Sequence, residues 1–181
     1  VRGLSTDGNS WNSSYRGIFL GGEMSSTSRE WLRNYVIGQH PLGSLYPDKA
    51  WTKGGTQNPY GAMKEGDTPS FLFFLPNGLN VPERPEWGGW GGRFQKPGQT
   101  YFGDIQDTFF DVSVDSIVTN AKATVFRWRP AIQADFAARV QWGRGEPKHI
   151  NHYPNIRVDG NNSTIPLYIS AKPRQELSID A

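Results

Sequence analysis

The chain has 181 residues, enough for one ordinary domain with its own core. Its 19 basic and 17 acidic residues are interspersed, and no Lys/Arg run exists to track a phosphate backbone, so no nucleic acid partner is expected. Cysteine is absent, which removes disulfide frameworks, Cys-ligated zinc and thiol nucleophiles together.

The first 16 residues are rich in Gly, Ser and Asn and read as a loop. The start at Val1-Arg2-Gly3, without Met or a signal peptide, is the start expected of a processed or excised piece. Gly17-Ile18-Phe19-Leu20-Gly21-Gly22 has the pattern of a short buried strand ending in a tight turn. Thr27-x-x-Glu30 matches a capping box, Trp31, Leu32, Tyr35 and Val36 follow at helical spacing, and Gly38 stands where that helix would stop. Residues 39–66 show no periodicity, which in a compact domain points to a ligand-lining segment.

Asp67-Thr68-Pro69 then introduces the apolar run Phe71 to Leu75, closed by Pro76-Asn77-Gly78; this spacing favours a short buried helix over a strand. The same run is the longest apolar one and falls far short of the ~18 residues of a membrane span, so no membrane partner is expected. Residues 79–108 are irregular around a Gly/Trp loop, and Arg129-Pro130-Ala131 opens a helix that runs to about Trp142 before Gly143. After Pro147, the segments at 156–158, 167–170 and 176–179 alternate apolar and polar residues between turn signals at Asp159-Gly160-Asn161 and Lys172-Pro173-Arg174. They read as the start of a β-sandwich, too few to close one of about seven strands.

Seven Trp, seven Tyr and ten Phe among 21 Gly and 13 Pro describe a folded, loop-rich chain whose aromatics partly face a ligand. The loop Glu86-Trp87-Gly88-Gly89-Trp90-Gly91-Gly92-Arg93 concentrates this chemistry: flat indoles stack on the C–H faces of sugar rings, and Glu86 and Arg93 can hydrogen-bond hydroxyls. Tyr46 adds to the same expected wall; the alternative is that the two indoles plug the core. Asp67, at a helix entry, can offer oxygen to a hard cation or simply cap the helix. Arg127-Trp128-Arg129 can hold a carboxylate or a sugar, or make salt bridges to nearby Asp or Glu. His40, His149 and His152 lack HxxxH or HExxH spacing, which removes a zincin reading. Sequons at Asn12, Asn161 and Asn162 point toward a secreted glycoprotein.

The strings His40-Pro41-Leu42-Gly43-Ser44-Leu45-Tyr46-Pro47, Glu65-Gly66-Asp67-Thr68-Pro69-Ser70-Phe71-Leu72 and Pro85-Glu86-Trp87-Gly88-Gly89-Trp90-Gly91-Gly92-Arg93, with Arg127-Trp128-Arg129-Pro130, resemble the nucleoside-hydrolase-like proteins described as cellulose-binding, of the Sde182 type. The resemblance covers about residues 15–145. It implies an α/β fold: the C-terminal part of a Rossmann-like, nucleoside-hydrolase-like sheet domain over residues 1–147, followed by the first strands of an Ig-like sandwich over 148–181. It implies Ca²⁺ as cofactor, with Asp67 resembling the late Asp that ligates it in true nucleoside hydrolases, and places Asn12 or Glu23 near the strand end that supplies ribose contacts. The D-x-D-x-x-D-D cluster of those enzymes matches nothing in this chain.

The expected partners are therefore an oligosaccharide or polysaccharide and the missing N-terminal part of the same domain, as a separate chain or an earlier part of a precursor. Three functions stand: a secreted glycosidase-like hydrolase using Ca²⁺, a non-catalytic cell-wall polysaccharide-binding module, and a structural, self-associating protein.

Overall fold

The computed structural model describes residues 18, 21–50, 52–53, 56–57, 62–63, 68–77, 79–96, 102–144, 146–150, 152 and 155–180. Mixed helix and strand content matches the expected α/β class. Among the described residues all strand pairing is antiparallel, in two-stranded units: β1 (Thr52–Lys53) with β2 (Thr56–Gln57), β3 (Phe94–Gln95) with β4 (Gly103–Asp104), and β5 (Asp107–Asp111) with β6 (Ser116–Asn120). Ile18, expected within a buried strand, is fully buried but lies in a turn; its carbonyl accepts from Arg129 rather than from a sheet neighbour. Phe19 and Leu20 lie outside the described residues.

Helix α1 (Arg29–Tyr35) begins one residue later than the capping-box spacing predicts. Ser28, not Thr27, is its N-cap, and its hydroxyl accepts from the Trp31 amide at 3.0 Å. Thr27 is instead the buried end of a 3₁₀ turn, where its hydroxyl donates to the Met24 carbonyl at 2.7 Å. Gly38, with φ of 70°, lies just beyond the helix end as expected. The segment expected to be structureless contains a one-turn helix α2 (His40–Gly43) and the β1–β2 hairpin.

Helix α3 (Thr68–Leu72) is present, with Pro69 buried in its first turn, but only one side of the apolar run is covered. Leu72 and Leu75 pack on the core, whereas Phe71 and Phe74 are exposed. The carbonyls of Leu72 and Leu75 are capped by the Asn80 side-chain amide, 2.7 Å from each.

Helix α4 (Ala123–Phe126) leads through Arg127 and Trp128 into α5 (Arg129–Gln141), the helix read from Arg129-Pro130 and Gly143. One face of α5 buries Ile132, Ala137 and Val140. Ile132 and Val140 meet Leu32 and Val36 from α1 and its end, Ile18, Ala62, Met63, Val125 and Trp90 in a single apolar cluster.

The Ig-like strands do not form among the described residues. Val158 and Asn161 exchange two hydrogen bonds of 2.8 Å around Asp159-Gly160, whose φ angles of 47° and 76° suit a tight hairpin turn. Asp180 returns to that turn, accepting from the Asp159 amide at 2.9 Å. Apart from Val158 and Pro166, every described residue from 155 to 180 is exposed. Period-two alternation needs a second layer to bury its apolar side, and Ile156, Leu167, Ile169, Leu177 and Ile179 have none. No helix of the described residues is long and apolar enough to cross a membrane.

Candidate functional site

Residues 84–93 form one wall of a cleft. A 3₁₀ turn at Pro85–Trp87 presents the Trp87 indole, which is 51% exposed. The Arg84 guanidinium sits 4.6 Å from the centre of that ring, and Tyr168 approaches it at 6.4 Å. Glu86 pairs with Arg84 at 2.5 Å. A hydrogen bond from its own backbone, and then the Arg84 guanidinium, hold the Glu86 carboxyl below the ordinary carboxylate range.

The glycines of this loop serve the protein's own packing. A Cβ on Gly89 would stand 1.8 Å from Asn80 Oδ1, and one on Gly91 would stand 2.6 Å from the Phe73 backbone. This close approach turns Trp90 inward, where it is 8% exposed and belongs to the apolar cluster. Trp90 therefore leaves the expected ligand wall, as does Tyr46, which packs on the core with its ring 5.8 Å from Phe136. Of the two indoles in the loop, one is open and one fills the core.

Across from Trp87, three charged side chains meet. Asp107 opens β5, Arg93 follows the glycine loop, and Arg127 follows α4. Asp107 Oδ1 accepts from Arg93 Nε at 2.6 Å and Oδ2 from Arg127 Nη1 at 3.1 Å. Arg93 Nη2 also donates to the Gln106 carbonyl at 2.7 Å. The Asp107 side chain is 9% exposed, the Arg93 and Arg127 side chains 33% and 32%. Arg127 lies 4.9 Å from the Phe109 ring and 5.2 Å from that of Trp128, which stiffens it further. Together with Trp87, Thr108 and Trp128 these residues line a cleft of about 440 Å³, within the usual range for a small-molecule pocket.

Trp87 and Arg93, singled out in the sequence, thus meet at one site, and Glu86 lies beside them on Arg84. Arg127 and Trp128 join them from the Arg-Trp-Arg motif, while Arg129 turns into the interior. Asp107 and Thr108 escaped sequence reasoning, since neither stands in any motif. Glu23 lies elsewhere: its carboxylate accepts from the Ser25 amide at 2.5 Å and its carbonyl accepts from Arg129 Nη1. Asp67 and Asn12 lie outside the described residues. Asn161 and Asn162 are exposed.

Among the described residues no three His, Asp or Glu side chains converge as a metal site would require. Both oxygens of Asp107, the buried carboxylate of the cleft, are already taken by guanidinium groups.

Residues 5–94 match the family model described as "Cellulose-binding Sde182, nucleoside hydrolase-like domain". Among solved structures, the chain is similar to a nucleoside hydrolase-related hypothetical protein from Saccharophagus degradans that is associated with carbohydrate metabolism, at 26% identity and a TM-score of 0.55. That match covers 80% of this chain and 33% of the other, so the chain spans about a third of its neighbour's length. No curated protein matches the chain. The family model over residues 5–94 takes in the strings at 40–47, 65–72 and 85–93, so the resemblance read from them to the Sde182 type of nucleoside hydrolase-like domain is borne out.

Proposed function

We propose that this chain is a polysaccharide-binding module whose contact face is the cleft beside Trp87. The observation that carries the reading is an indole held half open at the edge of a polar cleft. Trp90, three residues later, is committed to the core. The axial C–H bonds of a sugar ring carry slight positive charge and meet the electron-rich face of an indole, a contact in the range of about 1 kcal/mol per stacked aromatic pair. Arg93 and Thr108 in the lining supply donors and acceptors for hydroxyl groups. The description of the family as cellulose-binding and the neighbour's association with carbohydrate metabolism support the same reading. A cell-wall polymer as ligand goes with a secreted protein.

Hydrolysis draws less support. Glycoside cleavage in most families needs two carboxyl groups in complementary roles, and Asp107 is committed to two arginines. A hydrolytic reading with Ca²⁺ therefore rests on Asp67, with Glu23 or Asn12, and on carboxylates contributed from beyond this chain.

The test is retention of the 181-residue chain on insoluble cellulose. Trp87→Ala is expected to lower retention about tenfold while leaving far-UV circular dichroism unchanged. Equal retention of the folded variant and the parent would overturn the assignment of Trp87 as the contact residue.

A further inference from the structure

The charge at the cleft does not balance. Among the described residues, Arg93 and Arg127 face a single carboxylate, Asp107, and the other side chains lining the cleft are neutral. One positive charge remains. A guanidinium carries five N–H groups; Arg93 spends two on Asp107 and Gln106, and Arg127 spends one on Asp107. The remaining N–H groups belong to side chains that are about a third open to solvent. The low exposure of Asp107 makes it a brace: it fixes the spacing of the two planar forks without covering them. Phe109 and Trp128 hold Arg127 from the side. Planar, always-charged forks held at fixed spacing are matched to a carboxylate rather than to scattered hydroxyl groups.

We propose that the cleft recognises a uronate-bearing polysaccharide, with the carboxylate of a uronic acid residue on Arg93 and Arg127 and a sugar ring on Trp87. This inference rests on the polysaccharide-binding reading and narrows its ligand class. The surplus charge would contribute little against a neutral glucan, whereas a uronate places its counter-charge where Asp107 leaves one unmatched.

Affinity electrophoresis of the whole chain in gels containing hydroxyethylcellulose, polygalacturonate or dextran sulfate tests it. The parent protein is expected to be retarded by polygalacturonate about tenfold more strongly than by hydroxyethylcellulose or dextran sulfate. That preference should shrink as NaCl is raised, while retention by hydroxyethylcellulose holds. Arg127→Gln should remove the preference and Arg127→Lys, which keeps the charge but not the fork, should retain part of it, with the far-UV circular dichroism of both unchanged. Equal retardation of the parent by polygalacturonate and hydroxyethylcellulose overturns the uronate assignment, whatever the variants do. If Trp87→Ala still weakens hydroxyethylcellulose retention in that case, the general binding reading survives it. Equal retardation by dextran sulfate and polygalacturonate also overturns the assignment, since it shows attraction to any polyanion.

Discussion

The side chain of Arg129 donates from Nε to the carbonyl of Ile18 across 2.7 Å, joining residues 111 positions apart in the chain. The same guanidinium donates to the carbonyls of Gly21, at 2.7 Å, and Glu23. At 2% exposure this is among the most buried side chains of the molecule, and burial lowers its pKa to about 10, still well above neutrality. One charged residue thus anchors the start of α5 to the segment before α1.

Replacing Arg129 by Met should therefore cost about 3 kcal/mol, since it keeps much of the volume but leaves buried carbonyls without their donors. Arg129→Lys should fall between the two, because a single ammonium cannot span three acceptors arranged around a planar fork. Urea denaturation followed by circular dichroism measures both. A midpoint for Arg129→Met equal to the parent's would show that water replaces the guanidinium without loss.

The two tryptophans of the glycine loop should separate cleanly in the same assay. Trp90→Ala empties a core position and is expected to cost about 3–5 kcal/mol. Trp87→Ala removes a half-exposed ring and should cost about 1 kcal/mol or less, even though it removes the proposed sugar contact. Equal destabilisation by the two substitutions would contradict the burial difference between 8% and 51% exposure.

Particular residues show how far the sequence carried. Helix α5 was legible because Arg129-Pro130 and Gly143 bracket it. The start of α1 was legible only to within one residue, because Thr27 and Ser28 are both competent caps and the Met24 carbonyl captures the Thr27 hydroxyl. The β5–β6 hairpin had no clear signature: Phe110 and Ile117 pair across it yet both face solvent, so no alternating pattern marks a buried side. Within the cleft, the aromatic and arginine types could be recognised individually. Asp107 could not, since its role arises only where it meets Arg93, 14 residues before it, and Arg127, 20 residues after it. The tail misled in the opposite way, with period-two alternation and no second layer to pack against.

Gly89→Ala tests whether the glycine loop is shaped by packing. The new methyl would fall 1.8 Å from Asn80 Oδ1 and push away the amide that caps Leu72 and Leu75. A loss of about 2 kcal/mol is expected. Asn80→Ala alone should cost about 1–2 kcal/mol through the lost caps. The double variant should be more stable than the sum of the two losses allows, because Ala at 80 removes the clash. Strict additivity in urea denaturation would place the strain of Gly89→Ala somewhere other than Asn80.

Asp48 provides the pH-dependent signature of the N-terminal half. Arg29 Nε donates to its Oδ1 at 2.6 Å, and Arg33 donates to Oδ2 from Nη2 at 2.6 Å and Nε at 3.0 Å, from successive turns of α1. Hydrogen bonds from Arg29 and then Arg33 lower the Asp48 pKa from 3.8 to about 2. A carboxyl whose folded pKa is depressed binds its proton more readily in the unfolded chain. Its stabilisation is therefore fully present above the unfolded value and is lost as pH falls through the folded one. The difference in melting temperature between the parent and Asp48→Asn should be open at about pH 6, narrow between about pH 4 and 2, and close below that window. Because the pair is solvent-exposed, about 0.5 M NaCl should shrink the gap at pH 6 as well. Calorimetry over this range decides the point: a gap that ignores both pH and salt would mean that Asp48→Asn acts through local packing and not through its two arginines.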